Sequence, residues 1–410
     1  MKLCRLILIV AVCLTARSTL SAAEPLIEPF LKDGKLAAAH EAVEKAIKEK
    51  PDDQELRFQL GVVQFLESVQ TLTQSLWQQG FLDSSTATVI AHLPLPPNPA
   101  PRQTTYDDVR RILRTWVADL GKVEATLASI SDQKAKLPLH FGLIRLDVDG
   151  NGRADESETL WRIFNASAPG VVTDGRENDF VIAFDLGDVY WLRGYCHLLM
   201  ALSEFALGHD FHELIECTGH MFFARVKSPY RFAWSDTPKG DGPLHGNLEQ
   251  FSDLAAFVHL INFPVVEPER LKNSLKHLEQ VVALSRLSWD SIEAETDNDH
   301  EWLPNPDQSS AIGGATVTRQ MIAAWRVFLG EAEAILAGKK LLPFWRTGDD
   351  RGLNLRRIFT EPRRFDLVLW VQGSAAAPYL EEGDITDKRT WDGLMNIFEG
   401  RLLEYAIWFN

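Results

Sequence analysis

Cysteine is scarce in this 410-residue chain: of four, Cys4 and Cys13 lie in the first twenty-odd residues, leaving only Cys196 and Cys217. A fold stapled by many disulfides is therefore excluded, and these two either form one bridge or stay as buried thiols. After the first residues no apolar run approaches about twenty in length, so no later segment spans a bilayer as a helix. Stretches alternating with period two are nearly missing; only Asp366 to Val371 and the tail from Tyr405 to Phe409 could be strands, which is too few for a barrel or sandwich. The tail reads instead as a buried terminal helix. Basic residues are in deficit, with 42 Lys and Arg against 57 Asp and Glu and a net charge of −15, which disfavours nucleic acid and anionic lipid and favours cations. No nucleophile elbow, phosphate loop or dinucleotide glycine pattern stands out, and the glycines after Ile312 lack a preceding strand and the right spacing. No catalytic or organic-cofactor residues are assigned.

What is present is enough apolar material, 45% of residues with twelve Trp, for one large core or two. Lys2 and Arg5, an apolar run from Leu6 to Leu14, and Ser21, Ala22 and Ala23 have the form of a secretory signal. The expected mature chain begins at Glu24 and is exported, to a periplasm or outside the cell. Apolar residues three and four apart predict helices over Val189 to Leu207, Phe211 to Val226, Leu248 to Ile261, Leu271 to Leu287, Val317 to Leu336 and Leu394 to Trp408. Another is expected after Thr104 or Thr105, with Val109, Ile112, Trp116, Leu120, Val123, Leu127 and Ile130 on one face. The fold class is all-α.

Five prolines between His92 and Pro101 predict an extended linker over residues 92–102 that divides residues 24–91 from a unit at 103–170 and a C-terminal helical domain at 171–410. Before it, Gly34, Leu36, Ala37, Ala38 and Ala39 lead to Val43, Ala46 and Pro51, and Leu60 and Gly61 open a second helical stretch. Over residues 26–80 this pattern resembles a tetratricopeptide (TPR-like) repeat, which implies a helix hairpin and a surface for a protein partner. An ordinary antiparallel helix pair fits the same residues. The later loops, such as Glu301 to Asp307, are rich in Trp, Pro and Asp, and either line a binding surface or pack tryptophans onto helix ends.

The most specific pattern is a contiguous twelve-residue segment with Asp147, Asp149, Asn151, Gly152, Arg153, Asp155 and Glu158 in fixed places. Oxygen-bearing side chains at alternate positions around a glycine suit Ca²⁺, a hard cation that takes six to eight oxygen ligands. The segment resembles the EF-hand calcium loop. The resemblance implies side-chain oxygens from Asp147, Asp149 and Asn151, the backbone carbonyl of Arg153, Asp155 directly or through water, and bidentate Glu158. It also implies an entering helix from about Leu139 to Leu146, and an exit helix through Leu160, Ile163 and Phe164 to Pro169. At Ala154 the sequence departs from the branched apolar residue by which such loops pair; the nearest second loop, Asp174 to Asp185, carries Arg176 in a ligand slot. A lone loop favours a structural role for the ion.

A second metal pattern is His212, Glu216 and His220 at helical steps of four, with His209 nearby and Glu213 available as a base. It begins like the two-histidine helix of zinc proteases, but Glu216 stands for the second histidine. The leading expectation is thus an exported, non-enzymatic calcium-binding helical protein, and the alternative is a zinc hydrolase built on His212, Glu216 and His220.

Overall fold

The computed structural model describes residues 24–82, 95–162, 177–233, 245–311, 316–348 and 350–409, with side chains excepted at 245–247, 403, 404, 407 and 408. The expected signal segment at 1–23 lies outside the described residues. The chain is mostly helical, and its few strands are short.

Helices α1 (Glu28–Lys32), α2 (Leu36–Glu49) and α3 (Gln54–Gln78) form the N-terminal element. Pro51 lies just past the end of α2, and the Asp53 carboxylate caps α3 by accepting from the Leu56 amide at 3.1 Å. Gly61 is required by packing: a Cβ there would stand 2.3 Å from Leu127 of α4 (Tyr106–Leu127). Thr105 and Asp108 start α4 with a reciprocal capping box, and Trp116, Leu120, Val123 and Leu127 are buried along the face expected for them.

The proline-rich stretch does not divide the core. Residues 95–102 lie along the end of α3, with Asn98 Nδ2 donating to the Trp77 carbonyl at 2.7 Å and the Arg102 amide to that of Gln78 at 2.9 Å. One apolar cluster runs from Ile27 and Leu31 through Phe58, Leu120 and Leu139 to Val189 and Met200. Leu95 packs on that same cluster.

After α4 the chain forms β1 (Leu137–Leu139), which pairs antiparallel with β2 (Ile182–Phe184), Leu137 opposite Phe184. Then come α5 (Leu186–Leu207), α6 (His212–Thr218), α7 (His245–Leu260), β3 (Asn262–Phe263), α8 (Pro268–Ala294) and α9 (Arg319–Leu336). The C-terminal part holds β4 (Leu342–Pro343), β5 (Arg351–Leu353), α10 (Leu355–Thr360), β6 (Phe365–Asp366), α11 (Leu367–Gln372), β7 (Leu380–Glu382), α12 (Lys388–Ile397) and α13 (Leu402–Phe409). A second apolar cluster gathers Trp161, Trp289, Trp302, Trp325, Phe398 and Phe409. Most of the strand considered at 366–371 is helical, since only Phe365 and Asp366 pair with β3 and Asp366 then caps α11. The tail is the expected buried helix: Phe409 is fully buried, and its carbonyl accepts from the Trp289 indole at 3.1 Å. Cys196 and Cys217 are free thiols. No helix among the described residues is long and apolar enough to cross a membrane.

Arg110 ties α4 to the end of α5. Its guanidinium is buried and donates to the carbonyls of Leu207 at 2.7 Å and His209 at 2.8 Å, and to Glu267 Oε1 at 2.6 Å. The last carbonyls of a helix have no partner within it and carry its negative dipole end, so a buried cation there satisfies both. Replacing Arg110 with Met should lower the unfolding free energy by about 3 kcal/mol, because those acceptors lose their donor in a dry site. Chemical denaturation measures this, and a loss below about 1 kcal/mol would contradict the assignment.

Candidate metal centres

The segment from Asp147 to Glu158 closes on itself through its own carboxylates. Asp147 Oδ1 accepts from the Asn151 amide at 3.1 Å and Oδ2 from the Gly152 amide at 3.0 Å. Asp149 Oδ1 also takes the Asn151 amide, at 3.0 Å, and Asn151 Oδ1 takes that of Arg153 at 2.8 Å. Gly150 and Gly152 have φ of +71° and +84°, values that cost a residue without Cβ nothing. Glu158, only 6% exposed, reaches back across the loop, with Oε1 accepting from Val148 at 3.0 Å and Oε2 from Asp155 at 2.7 Å.

The loop is anchored on both sides. Gln70 and Gln74, one turn apart on α3, bind the Asp147 backbone: Gln70 Oε1 accepts from its amide at 2.9 Å and Gln74 Nε2 donates to its carbonyl at 2.7 Å. The Arg145 amide donates to the Leu31 carbonyl at 3.0 Å, and a Cβ on Gly34 would fall 2.2 Å from that of Ala154. The short residue at 154 therefore receives the α1–α2 turn rather than a second loop.

Asp147, Asp149 and Glu158 each offer a ligand atom, all within 4.8 Å of one another. Asp155 does not join that group; with Glu158 it forms the capping box of a short 3₁₀ turn at Glu156–Glu158. Asn151 and Arg153 are exposed on the loop. Burial, reinforced by the charges of Asp149 and Asp147, raises the Glu158 pKa although two amides oppose it.

The flanks differ from expectation. No entering helix runs from Leu139 to Leu146: Leu139 belongs to β1, residues Phe141–Leu143 make a single 3₁₀ turn, and Arg145 bridges Thr159 as a short ladder. Strand pairing of Leu137 and Leu139 with β2 buries both leucines, which two isolated helical turns after Pro138 could not match. The exit helix begins at Leu160, and its continuation at 163–169 lies outside the described residues, as does 174–176 of the second loop considered.

The zinc arrangement is not assembled. Helix α6 ends at Thr218, and a 3₁₀ turn at Gly219–Met221 swings His220 toward Asp253 of α7, its Nε2 3.1 Å from that carboxylate. His212 is exposed beside Glu216 at 3.5 Å, and His209 is buried with Nδ1 donating to the Phe205 carbonyl at 2.8 Å. Among the described residues these do not form a group of three ligands. The helix ended at Gly219, before completing the second step of four.

A second acidic group had no contiguous signal. Asp185, at the end of β2, meets Glu295 at the end of α8 and Glu301 in the following loop, again with ligand atoms within 4.8 Å. Asp185 Oδ1 caps α5 through the Gly187 amide at 2.8 Å, and Glu301 Oε1 accepts from Asp299 at 2.8 Å. Glu295 Oε2 accepts from Gln308 at 3.2 Å, while its Oε1 is buried with no donor. A Cβ on Gly187 would stand 3.2 Å from Asp185 Oδ1 and 3.3 Å from Glu295 Oε1, so glycine leaves room where the two carboxyls converge. Asp188 lies behind them, accepting from the Asp185 amide at 3.1 Å. Burial raises the pKa of all four: Glu295 is pushed up to about 9 by burial and then by Asp185, and Asp188 rises well above the carboxylate range. Such a group takes up a proton or a cation. Of the two roles considered for residues 301–307, packing is the one seen, since Trp302 is buried in the second core beside Glu301.

Comparison with protein-family models, with curated proteins and with solved structures finds no match to this chain.

A carboxyl whose folded pKa is raised contributes stability that is present below its unfolded value near 4.5 and lost as pH rises through the folded one. In chelated buffer the melting temperature should fall between pH 6 and pH 9, and Glu295→Gln should remove much of that fall. Equal slopes in the two proteins would contradict the assignment.

Proposed function

We propose that this chain is an exported calcium-binding helical protein, in which the ion fastens the segment from Asp147 to Glu158 to α3 and to the α1–α2 turn. The observation that carries the reading is the convergence of Asp147, Asp149 and Glu158 within 4.8 Å on a contiguous loop whose backbone is already clamped from outside by Gln70 and Gln74. A calcium ion would draw ligands from these three carboxylates, joined by Asn151, the carbonyl of Arg153 and Asp155, as in the EF-hand loop that the segment resembles. The neutral amides of Gln70 and Gln74 set the loop's position and leave its charge uncancelled, which is the state a divalent cation relieves.

A structural role is favoured over a sensor role by what surrounds the loop. Sensor loops work in pairs that open a groove between helices. Here Ala154 is taken up by Gly34, and the entering side is a strand and a tight turn rather than a helix that could swing. The α1–α3 element, considered as a TPR-like docking module, packs on α4 and the loop; a protein partner would meet the polar outer face of α2, where Glu41, Glu44, Lys45 and Lys48 are exposed. The calcium reading needs no such partner.

If the ion is structural, calcium at a hundredfold excess over Kd adds roughly 2.7 kcal/mol to the folded state. Mature protein should then melt several degrees higher with calcium than with chelator, and Asp149→Asn should shrink the difference. Identical melting temperatures in the two buffers would end the proposal.

A further inference from the structure

Helices α5 and α8 run antiparallel along each other and are anchored near both ends by buried serines. Ser274 Oγ donates to the Ala201 carbonyl at 2.8 Å, and Ser288 Oγ to that of Gly187 at 2.9 Å. Between these anchors His197 of α5 faces His277 of α8, Nδ1 to Nδ1, at 2.8 Å with ring centroids 5.1 Å apart. At that separation one nitrogen donates and the other accepts, so the two rings hold a single proton between them.

The pair is backed by a third helix. His197 Nε2 lies 3.4 Å from Glu124 Oε1 of α4, and Arg193 of α5 grips the same carboxylate with Nε and Nη2 at 2.9 to 3.2 Å. The charged and titratable groups around the rings are therefore Glu124 from α4, Arg193 and Cys196 from α5, and Lys276 from α8. Glu124 favours protonation of His277 and Lys276 opposes it, while burial keeps the Cys196 thiol protonated.

We propose that Glu124, His197 and His277 form a pH-sensitive latch on the seam of α4, α5 and α8, closed while the rings share one proton and released when acid protonates both. With both rings charged, each Nδ1 carries a hydrogen toward the other and two cations face each other in a largely buried place, a cost that separation of the helices relieves. Burial, followed by the charge of His197, holds His277 down to about 4 in the closed form. That is below its value of about 6.5 in an open chain, so the latch contributes its full stability above pH 6.5 and loses it as pH falls toward 4. A metal reading is not supported, because among the described residues no third ligand joins the two rings.

The test is amide hydrogen exchange on the mature chain between pH 7 and pH 4.5, corrected for the intrinsic rate at each pH. Protection in α5 and α8 should fall by on the order of tenfold for each pH unit through which one extra proton is bound. His277→Gln, which keeps a hydrogen-bonding amide and cannot titrate, should hold its protection over the same range. Loss of protection in acid that is equal in wild type and His277→Gln would overturn the latch. Should the variant fail to fold, histidine titration followed by NMR in the wild type decides: a ring titrating near 4 supports the latch, and both rings titrating independently near 6.5 refute it.

Discussion

Two carboxylates about 4 Å apart repel by roughly 4 kcal/mol at an effective dielectric near 20, and among the described residues three carboxyls twice come within 4.8 Å of one another. Both groups hang from the same small ladder. Strand β1 leads through one tight turn into Asp147, and β2 ends in Asp185, so the pairing of Leu137 with Phe184 sets where both groups stand. Apolar packing around that ladder, with Leu137, Leu139, Leu146 and Ile182 buried, is what holds the charges close against their repulsion. The two groups differ in their surroundings. Glu295 sits where burial and Asp185 raise its pKa to about 9, whereas Asp147 and Asp149 stand nearer to solvent.

Around this centre the helices are tied by polar side chains that bond the backbone of another element. Arg110 takes up the last carbonyls of α5, Gln70 and Gln74 take up the backbone of Asp147, and Ser274 and Ser288 bridge α5 to α8. Titration then limits the fold from both sides. The crowded carboxyls favour the folded chain less as pH rises, and the histidine pair favours it less as pH falls, which places greatest stability in between.

The parts of this picture that were legible in the sequence are those written in contiguous residues. Helical periodicity located α4, α5, α8 and α9, because each buries one face of a continuous stripe. The convergence of Asp147, Asp149 and Glu158 was legible for the same reason, the three falling within twelve positions. What escaped depended on distant partners. Nothing beside Asp185 points to Glu295 or Glu301, over a hundred residues later, nor does anything beside His197 point to His277. The expected entering helix failed because β2 gave Leu137 and Leu139 a better burial, and the prolines at 94–101 suggested a boundary because composition does not show that Leu95 has a core to pack on.

The central claim is that the segment from Asp147 to Glu158 binds calcium. The most direct measurement is calorimetric titration of calcium into metal-free protein, beside the variant carrying both Asp147→Ala and Glu158→Ala. One ion bound per chain with micromolar to millimolar affinity, lost in the variant, is the result predicted here. Heat of the same size in both proteins, or none in a folded wild type, would contradict it.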